Sequence, residues 1–187
     1  QPAVCYHARQ CDGIARLSRP GRTDVFEQTD LFVSGTEGYH TFRIPALAVS
    51  AGGTILAFCE GRKHSRSDEG EIHMMLRRSS DGGRTWDEPR AIVTDGDKTC
   101  GDPSPVLDRT TGVVWLPLTK NPGAGGLREV VEGKAERTIW LTRSQDDGAT
   151  WANPVEITGS VKPANWTWYA TGPCHGIQLS SGRLLIP

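Results

Sequence analysis

One eight-residue motif occurs twice in the chain, and this repeat restricts the possible folds more than any other feature. Residues 79–86 read SSDGGRTW and residues 144–151 read SQDDGATW, so both follow the pattern S-x-D-x-G-x-T-W. Each copy comes directly after an arginine that ends a strand-like run, and a proline stands three residues beyond each final tryptophan. Repetition of a whole motif indicates a fold that is assembled from similar supersecondary units.

The residue types of this motif predict a hairpin turn in each copy. An aspartate can accept hydrogen bonds from backbone N–H groups across a turn, and a glycine can adopt a positive φ. The threonine and tryptophan can then fix the returning strand. These positions are Asp81, Gly83, Thr85 and Trp86 in the first copy and Asp146, Gly148, Thr150 and Trp151 in the second. The pattern resembles the Asp box of sialidases, which lies away from the active site in that family, and this resemblance implies that both aspartates are structural rather than catalytic.

Short apolar runs separated by turn residues fill the chain from about residue 25 onward. The 22 glycines and 12 prolines fit many turns between short elements, and no segment shows a long helical period. The predicted strands cover residues 41–49, 54–60, 72–79, 113–119, 137–143 and 183–187. Strands spaced by about a dozen residues are typical of all-β sandwiches, barrels and propellers. The repeat favours the β-propeller, with the glycine-rich, charged segment 121–136 as an exposed insertion.

Composition and charge exclude two classes of partner. The apolar fraction is 36%, the charged fraction 23% and the formal net charge −1. A nucleic-acid-binding protein carries a basic stripe, and the sequence has none, so we expect no nucleic-acid partner. No apolar run approaches the roughly 20 residues that cross a bilayer, so we expect no membrane span. Residues 1–24 are polar and lack periodicity, which indicates an irregular lead-in to one domain over residues 25–187.

The five cysteines do not form a metal-binding pattern. They are widely spaced and contain no C-x-x-C pair, so we expect no zinc framework, no other metal site and no cofactor. Cys5 and Cys11 are close enough in sequence for a small disulfide, which stays a hypothesis. Cys59 lies in an apolar run and is predicted to be a buried thiol.

A second motif, Phe-Arg-Ile-Pro at residues 42–45, sets one arginine among apolar neighbours. Such an arginine requires an acidic partner or a ligand, because an unpaired buried charge is very costly. A structural ion pair is one reading. The motif also resembles the FRIP motif of sialidases, and the two repeats resemble the Asp boxes of the same superfamily. This resemblance extends from about residue 25 to residue 187 and implies a six-bladed propeller, of which the chain holds about three blades.

The resemblance implies roles for several residues in and after the second predicted strand. Arg43 corresponds to the first of three arginines that bind the sialic acid carboxylate, and Arg62 would help to anchor the substrate. Guanidinium suits this role because its rigid fork binds carboxylate through two hydrogen bonds. Asp68 would be the general acid and base, with Glu69 as a competitor and Glu60 as a further substrate contact. A solvated charged loop is the alternative for this segment.

Two further segments resemble sialidase sequences. In residues 101–105, GDPSP, Asp102 is a candidate for contacting the sugar ring, although it equally fits a cap on a proline turn. The stretch 166–176, WTWYATGPCHG, resembles a WYATGPGH sequence of bacterial sialidases, with cysteine in place of a glycine. Trp168 and Tyr169 would line the substrate pocket if this likeness holds, and core packing is the other reading.

The function implied by the resemblance is an exo-α-sialidase that hydrolyses terminal sialic acids by a retaining mechanism. Its partners would be sialylated glycans on glycoproteins, gangliosides and oligosaccharides, and a secreted or periplasmic location is expected. Sialidases use a tyrosine nucleophile, and family order implies that this tyrosine, its glutamate and the remaining triad arginines follow Pro187. The chain by itself is therefore expected to be inactive. A non-catalytic propeller that binds glycans or proteins, a truncated product and a trans-sialidase remain alternatives.

Overall fold

The structure is a computed structural model that describes residues 27–124 and 126–187. By its contacts the chain divides into residues 1–31 and residues 32–187, and the fold described below lies in residues 32–187. The predicted lead-in over residues 1–24, with Cys5 and Cys11, lies outside the described residues. The elements are β1 Thr41–Val49, β2 Ile55–Arg62, β3 Ile72–Ser79, β4 Arg90–Val93, β5 Thr99–Gly101, β6 Val106–Leu107, β7 Val114–Asn121, α1 Leu127–Val131, β8 Thr138–Ser144, β9 Val155–Glu156, α2 Thr158–Val161, β10 Ile177–Gln178 and β11 Leu184–Leu185.

The strands form two antiparallel units and the beginning of a third. Strands β1 to β4 pair in chain order. In the second unit β5 and β6 both pair with β7, followed by β8 and β9. Ile72 of β3 lies opposite Thr99 of β5 in a short parallel pairing, which joins the two units into one sheet. The hairpin β10–β11 forms a separate two-stranded sheet. The all-β prediction is confirmed.

Both copies of the repeated motif connect the last two strands of a unit, one between β3 and β4 and the other between β8 and β9. The Asp146 carboxylate accepts hydrogen bonds from the backbone N–H of Thr150 at 2.8 Å and from its hydroxyl at 2.5 Å. These hydrogen bonds lower the pKa of Asp146 from 3.8 to about 2. Asp81 accepts the same pair of hydrogen bonds from Thr85, and its pKa is also lowered. Both copies of the motif therefore form a turn in which the aspartate carboxylate binds the backbone N–H and the hydroxyl of the threonine.

The main hydrophobic core lies between the two units. Its fully buried side chains include Phe58 and Leu76 of the first unit and Leu116 and Leu118 of the second. Trp151, at the end of the second repeated motif, packs edge-to-face on Phe58 with ring centroids 5.7 Å apart. Burial of side chains of this size stabilises the fold by about 1.5–3 kcal/mol each. The turn motif of the second unit is thus part of the interface between the units.

Segment 121–136 is exposed over most of its described residues, as predicted, and it also contains a short helix. The helix is α1, and Val130 is its one buried residue. The sequence does not reveal α1, because five residues are too few to show a helical period. Across residues 27–124 and 126–187, no helix is long and apolar enough to cross a membrane.

Candidate active site

The candidate site is formed where β1 begins and β2 ends. These strands are antiparallel, and Arg43 lies directly opposite Glu60. Side chains two residues apart on a strand share a face, so Arg62 projects from the same face as Glu60. The loop 63–71 then leaves β2 and returns to β3 at Ile72. Sheet geometry alone thus brings the two predicted arginines and Glu60 to one end of the first unit.

A bulge in β1 marks this end of the strand. Arg43 pairs with Glu60 and Ala46 with Phe58, so the two residues Ile44 and Pro45 stand opposite one residue of β2. Ile44 has a φ of +57°, a conformation that β-branched residues rarely adopt. Bulges of this kind redirect a strand and its side chains. The Ile-Pro part of the motif therefore breaks the regular pairing immediately after Arg43.

Arg43, Arg62 and Asp68 converge on a single atom. The Nη1 atoms of Arg43 and Arg62 lie 2.9 Å and 2.7 Å from Oδ1 of Asp68. The side chain of Asp68 is 77% exposed and that of Arg43 is 40% exposed, whereas that of Arg62 is only 3% exposed. Asp68 therefore covers two guanidinium groups from the solvent side, at a position where two cations would attract any carboxylate.

Buried contacts hold Arg62 in place. Its Nε and Nη2 atoms donate to Oε2 of Glu60 at 3.0 Å and 2.5 Å. Its Nη1 atom donates to the carbonyls of Arg66 and Ser67 at 2.7 Å and 2.8 Å, which fixes the loop that carries Asp68. Burial raises the pKa of Glu60, and the charge of Arg62 acts in the opposite direction. Arg62 thus connects the strand to the loop beneath Asp68.

Asp68, and not Glu69, contacts the arginines. The Glu69 carboxylate lies against Gly126, where even a methyl group would have no room, and its backbone N–H donates to Ser67 Oγ at 3.2 Å. This placement favours Asp68 over Glu69 as the candidate acid. Nowhere in the described part of the chain do three His, Cys, Asp or Glu side chains gather closely enough to hold a metal ion.

Asp102 joins the same group from the second unit. Its backbone N–H donates to Oε1 of Glu60 at 3.0 Å, and its carbonyl accepts a hydrogen bond from the Thr171 hydroxyl at 2.6 Å. Its Oδ2 atom accepts from the Thr119 hydroxyl at 2.7 Å and from Nη2 of Arg137. Asp102 also has a positive φ of +54°. The structure therefore places this predicted residue beside Glu60 and fixes it from several sides.

The predicted aromatic residues are divided between two contacts. The Trp168 ring stacks on the guanidinium of Arg137 at 4.3 Å, which links it to Asp102. Tyr169 instead stacks on Trp166 with ring centroids 5.8 Å apart. Sequence reasoning missed Arg137, whose only sequence signal is its place at the start of a predicted strand.

The family follows from a comparison of the sequence with known domains. Residues 53–187 match the BNR repeat-like domain. The chain belongs to the BNR repeat-like domain family. Within this family it is sialidase-like, being 38% identical over 177 residues to an exo-alpha-sialidase of Arthroderma benhamiae. That match covers 84% of this chain and 43% of the relative. An exo-alpha-sialidase of Aspergillus fumigatus is 36% identical over 80% of this chain and 41% of its own length. The chain thus spans about two fifths of these curated relatives.

Solved structures agree with this assignment. The Hadza microbial sialidase Hz136 matches with a TM-score of 0.75 and 30% identity, over 82% of this BNR repeat-like chain and 33% of that protein. A leech intramolecular trans-sialidase matches with a TM-score of 0.76 at 17% identity, over 87% of this chain and 42% of that protein, which supports the fold alone. The two antiparallel units are therefore blades of a sialidase-type β-propeller, and the sheet is not closed within the residues that the structure describes.

Proposed function

We propose that the whole protein to which this chain belongs is an exo-α-sialidase that removes terminal sialic acids from glycoproteins, gangliosides and oligosaccharides by a retaining mechanism. The observation that carries the proposal is the convergence of Arg43, Arg62 and Asp68 on one atom. It combines an anion-binding group with a carboxyl group beside it. The sialidase names of the relatives support the substrate class, since two of them are exo-alpha-sialidases.

Arg43 is the residue best placed to bind the substrate carboxylate. Its side chain is half-exposed, and its partner Asp68 is itself open to solvent. Sialic acid carries a carboxylate next to its anomeric carbon, so a guanidinium both neutralises that charge and orients the sugar. Arg62 is proposed as the second anchor. Because Arg62 is buried under Asp68, it reaches a ligand only when the Asp68 carboxylate moves aside.

Exchange of carboxylates links substrate binding to acid catalysis. Asp68 occupies the position beside Arg43. A substrate carboxylate that takes this position separates Asp68 from Arg43. The freed carboxyl group can then hold the proton that the leaving oxygen needs, and afterwards accept one from water. An anionic nucleophile would be repelled by the substrate, so a tyrosine is the proposed nucleophile, in the part of the whole protein that this chain does not include.

The test uses the whole protein and a fluorogenic sialoside. Arg43→Ala is expected to lower kcat/KM by about 10²- to 10³-fold, because it removes a charged hydrogen-bonding partner. Asp68→Asn is expected to lower kcat by about 10²- to 10⁴-fold, the usual contribution of a general acid. Arg128→Ala and Asp87→Asn are the matched controls, since both residues form ion pairs on the surface.

The outcomes separate the alternatives. Parental activity in both Arg43→Ala and Asp68→Asn would refute the site assignment. Binding of the sialoside by the parent protein without turnover would instead identify a non-catalytic propeller that recognises glycans. Transfer of the released sugar to an acceptor, in place of release to water, would identify a trans-sialidase.

A further inference from the structure

We propose that Arg137 is a positioning residue that holds the Asp102 carboxylate and the Trp168 ring on one rim of the site, so that both contact the same bound sugar. This inference rests on the proposed function and extends it to a residue that does not itself touch the substrate. Arg137 immediately precedes β8 and is 8% exposed, so a ligand has almost no access to it.

The guanidinium of Arg137 is held on its edges and on its face. Its Nη2 atom donates to Oδ2 of Asp102 and, at 2.9 Å, to the Thr119 hydroxyl. Its Nη1 atom donates to Oδ1 of Asn121 at 3.3 Å. The Trp168 ring covers one face at 4.3 Å. A planar group with donors at its edges is suited to these contacts, and a lysine ammonium cannot reproduce them.

The partners of Arg137 are more open than Arg137 itself. The side chain of Asp102 is 17% exposed and Trp168 is 40% exposed. In the described part of the chain, the side-chain donors contact Oδ2 of Asp102 and none contacts Oδ1. One carboxylate oxygen is therefore fixed by the protein, and the other remains for a hydroxyl group of the sugar. The outer face of Trp168 adds an apolar surface beside it.

The backbone of Asp102 shows that its position is imposed by these contacts. A positive φ in a residue other than glycine is uncommon and persists when the surroundings hold it. Glu60 and Thr171 bind the backbone of Asp102, while Thr119 and Arg137 bind its carboxylate. Arg137 is the only charged group among the contacts to this carboxylate in the described residues, so its loss leaves the carboxylate without a counter-charge.

The experiment compares Arg137→Lys with the parent in the whole protein, using a sialoside and a series of its monodeoxy analogues. Arg137→Lys is expected to raise KM by about 10- to 100-fold with a smaller change in kcat, as for loss of a hydrogen bond to a charged group. One deoxy analogue is expected to bind weakly to the parent because it lacks the hydroxyl group that contacts Asp102. That analogue should lose little further affinity in Arg137→Lys or in Asp102→Asn. The deoxy penalty is the factor by which the deoxy analogue binds more weakly than the sialoside. A deoxy penalty that is the same in Arg137→Lys as in the parent would overturn the inference.

A second measurement needs no substrate and separates the two proposals. The indole N–H resonance of Trp168, assigned with Trp168→Phe, is expected to shift in Arg137→Lys. The control is Arg143→Lys, because Arg143 lies within β8, the strand that Arg137 precedes, and stacks on Trp115 at 5.4 Å. A shift in a protein without sialidase activity would refute the proposed function and support the positioning role. An active protein whose Trp168 resonance and deoxy penalty are both unchanged in Arg137→Lys would refute the positioning role alone.

Discussion

Gly61 lies between the two buried charges of the site, and replacing it by alanine tests how closely this part of the fold is packed. A Cβ atom at Gly61 would lie 2.7 Å from Cγ of Met75 and 2.8 Å from the Tyr39 ring. Contacts this short do not occur in real structures, so neighbouring atoms must move. Tyr39 is held by a 2.8 Å hydrogen bond between its hydroxyl and Nδ1 of His73 and by ring packing on Phe42. Met75 is flexible, but it is fully enclosed.

The size of the effect follows from two opposing contributions. Inserting a methyl group into a packed core costs about 1–3 kcal/mol. Replacing a strand glycine by alanine recovers about 0.5–1 kcal/mol, because glycine loses more conformational entropy on folding. We expect the free energy of unfolding of Gly61→Ala to fall by about 1–2 kcal/mol. For a protein of this size, that corresponds to a Tm lower by about 2–8 °C.

The assay is urea unfolding followed by tryptophan fluorescence, together with a thermal scan. Gly159→Ala is the matched control, since a Cβ at Gly159 meets nothing within 4 Å, and this variant is expected to be at least as stable as the parent. The double variant Gly61→Ala/Met75→Ala should lose less stability than the sum of the single variants. Equal stability of Gly61→Ala and the parent would show that the packing around Gly61 is looser than described.

Two further changes test the site and the repeated turns. In Gly101→Ala the new methyl group would overlap Oε1 of Glu60, so the contact between Glu60 and the Asp102 backbone should break. We expect sialidase activity to fall at least tenfold, with the fold intact by circular dichroism. Full activity of this variant would contradict the contact. The lowered pKa of Asp146 means that its stabilising effect is complete above pH 3.8 and disappears as the pH falls through about 2. Unfolding curves of Asp146→Asn and the parent should therefore separate above pH 4 and converge near pH 2, and a constant difference between them would contradict the turn contacts.

The sequence predicted the long strands well and the short ones poorly. The predicted strands 41–49 and 72–79 coincide with β1 and β3, because these runs are long enough for their apolar pattern and flanking turns to be visible. Strands β5 and β6 have three and two residues, too few to show a period of two. Their positions depend on pairing with β7, which is a property of the folded chain.

The site could be predicted only where a local motif marks it. Arg43 stands in such a motif, and its pairing opposite Glu60 follows from the neighbouring strand. Arg137 has no motif, because its role depends on Asp102, which lies 35 residues earlier in the chain. An arginine before a strand is ordinarily a surface residue. Only the folded structure shows that this one is buried against a carboxylate and a tryptophan.

Backbone strain identifies the same site without any reference to related proteins. The described residues contain four residues other than glycine with positive φ: Glu37, Ile44, Asp102 and Asp147. Glu37 and Asp147 lie in turns, where such conformations are tolerated. Ile44 directly follows Arg43 within β1, and Asp102 directly follows β5 and contacts Glu60. A strained residue persists only where its surroundings impose it, and such residues concentrate at functional sites. The fold therefore accepts strain at the two positions that bring Arg43 and Asp102 to either side of the buried Glu60–Arg62 pair.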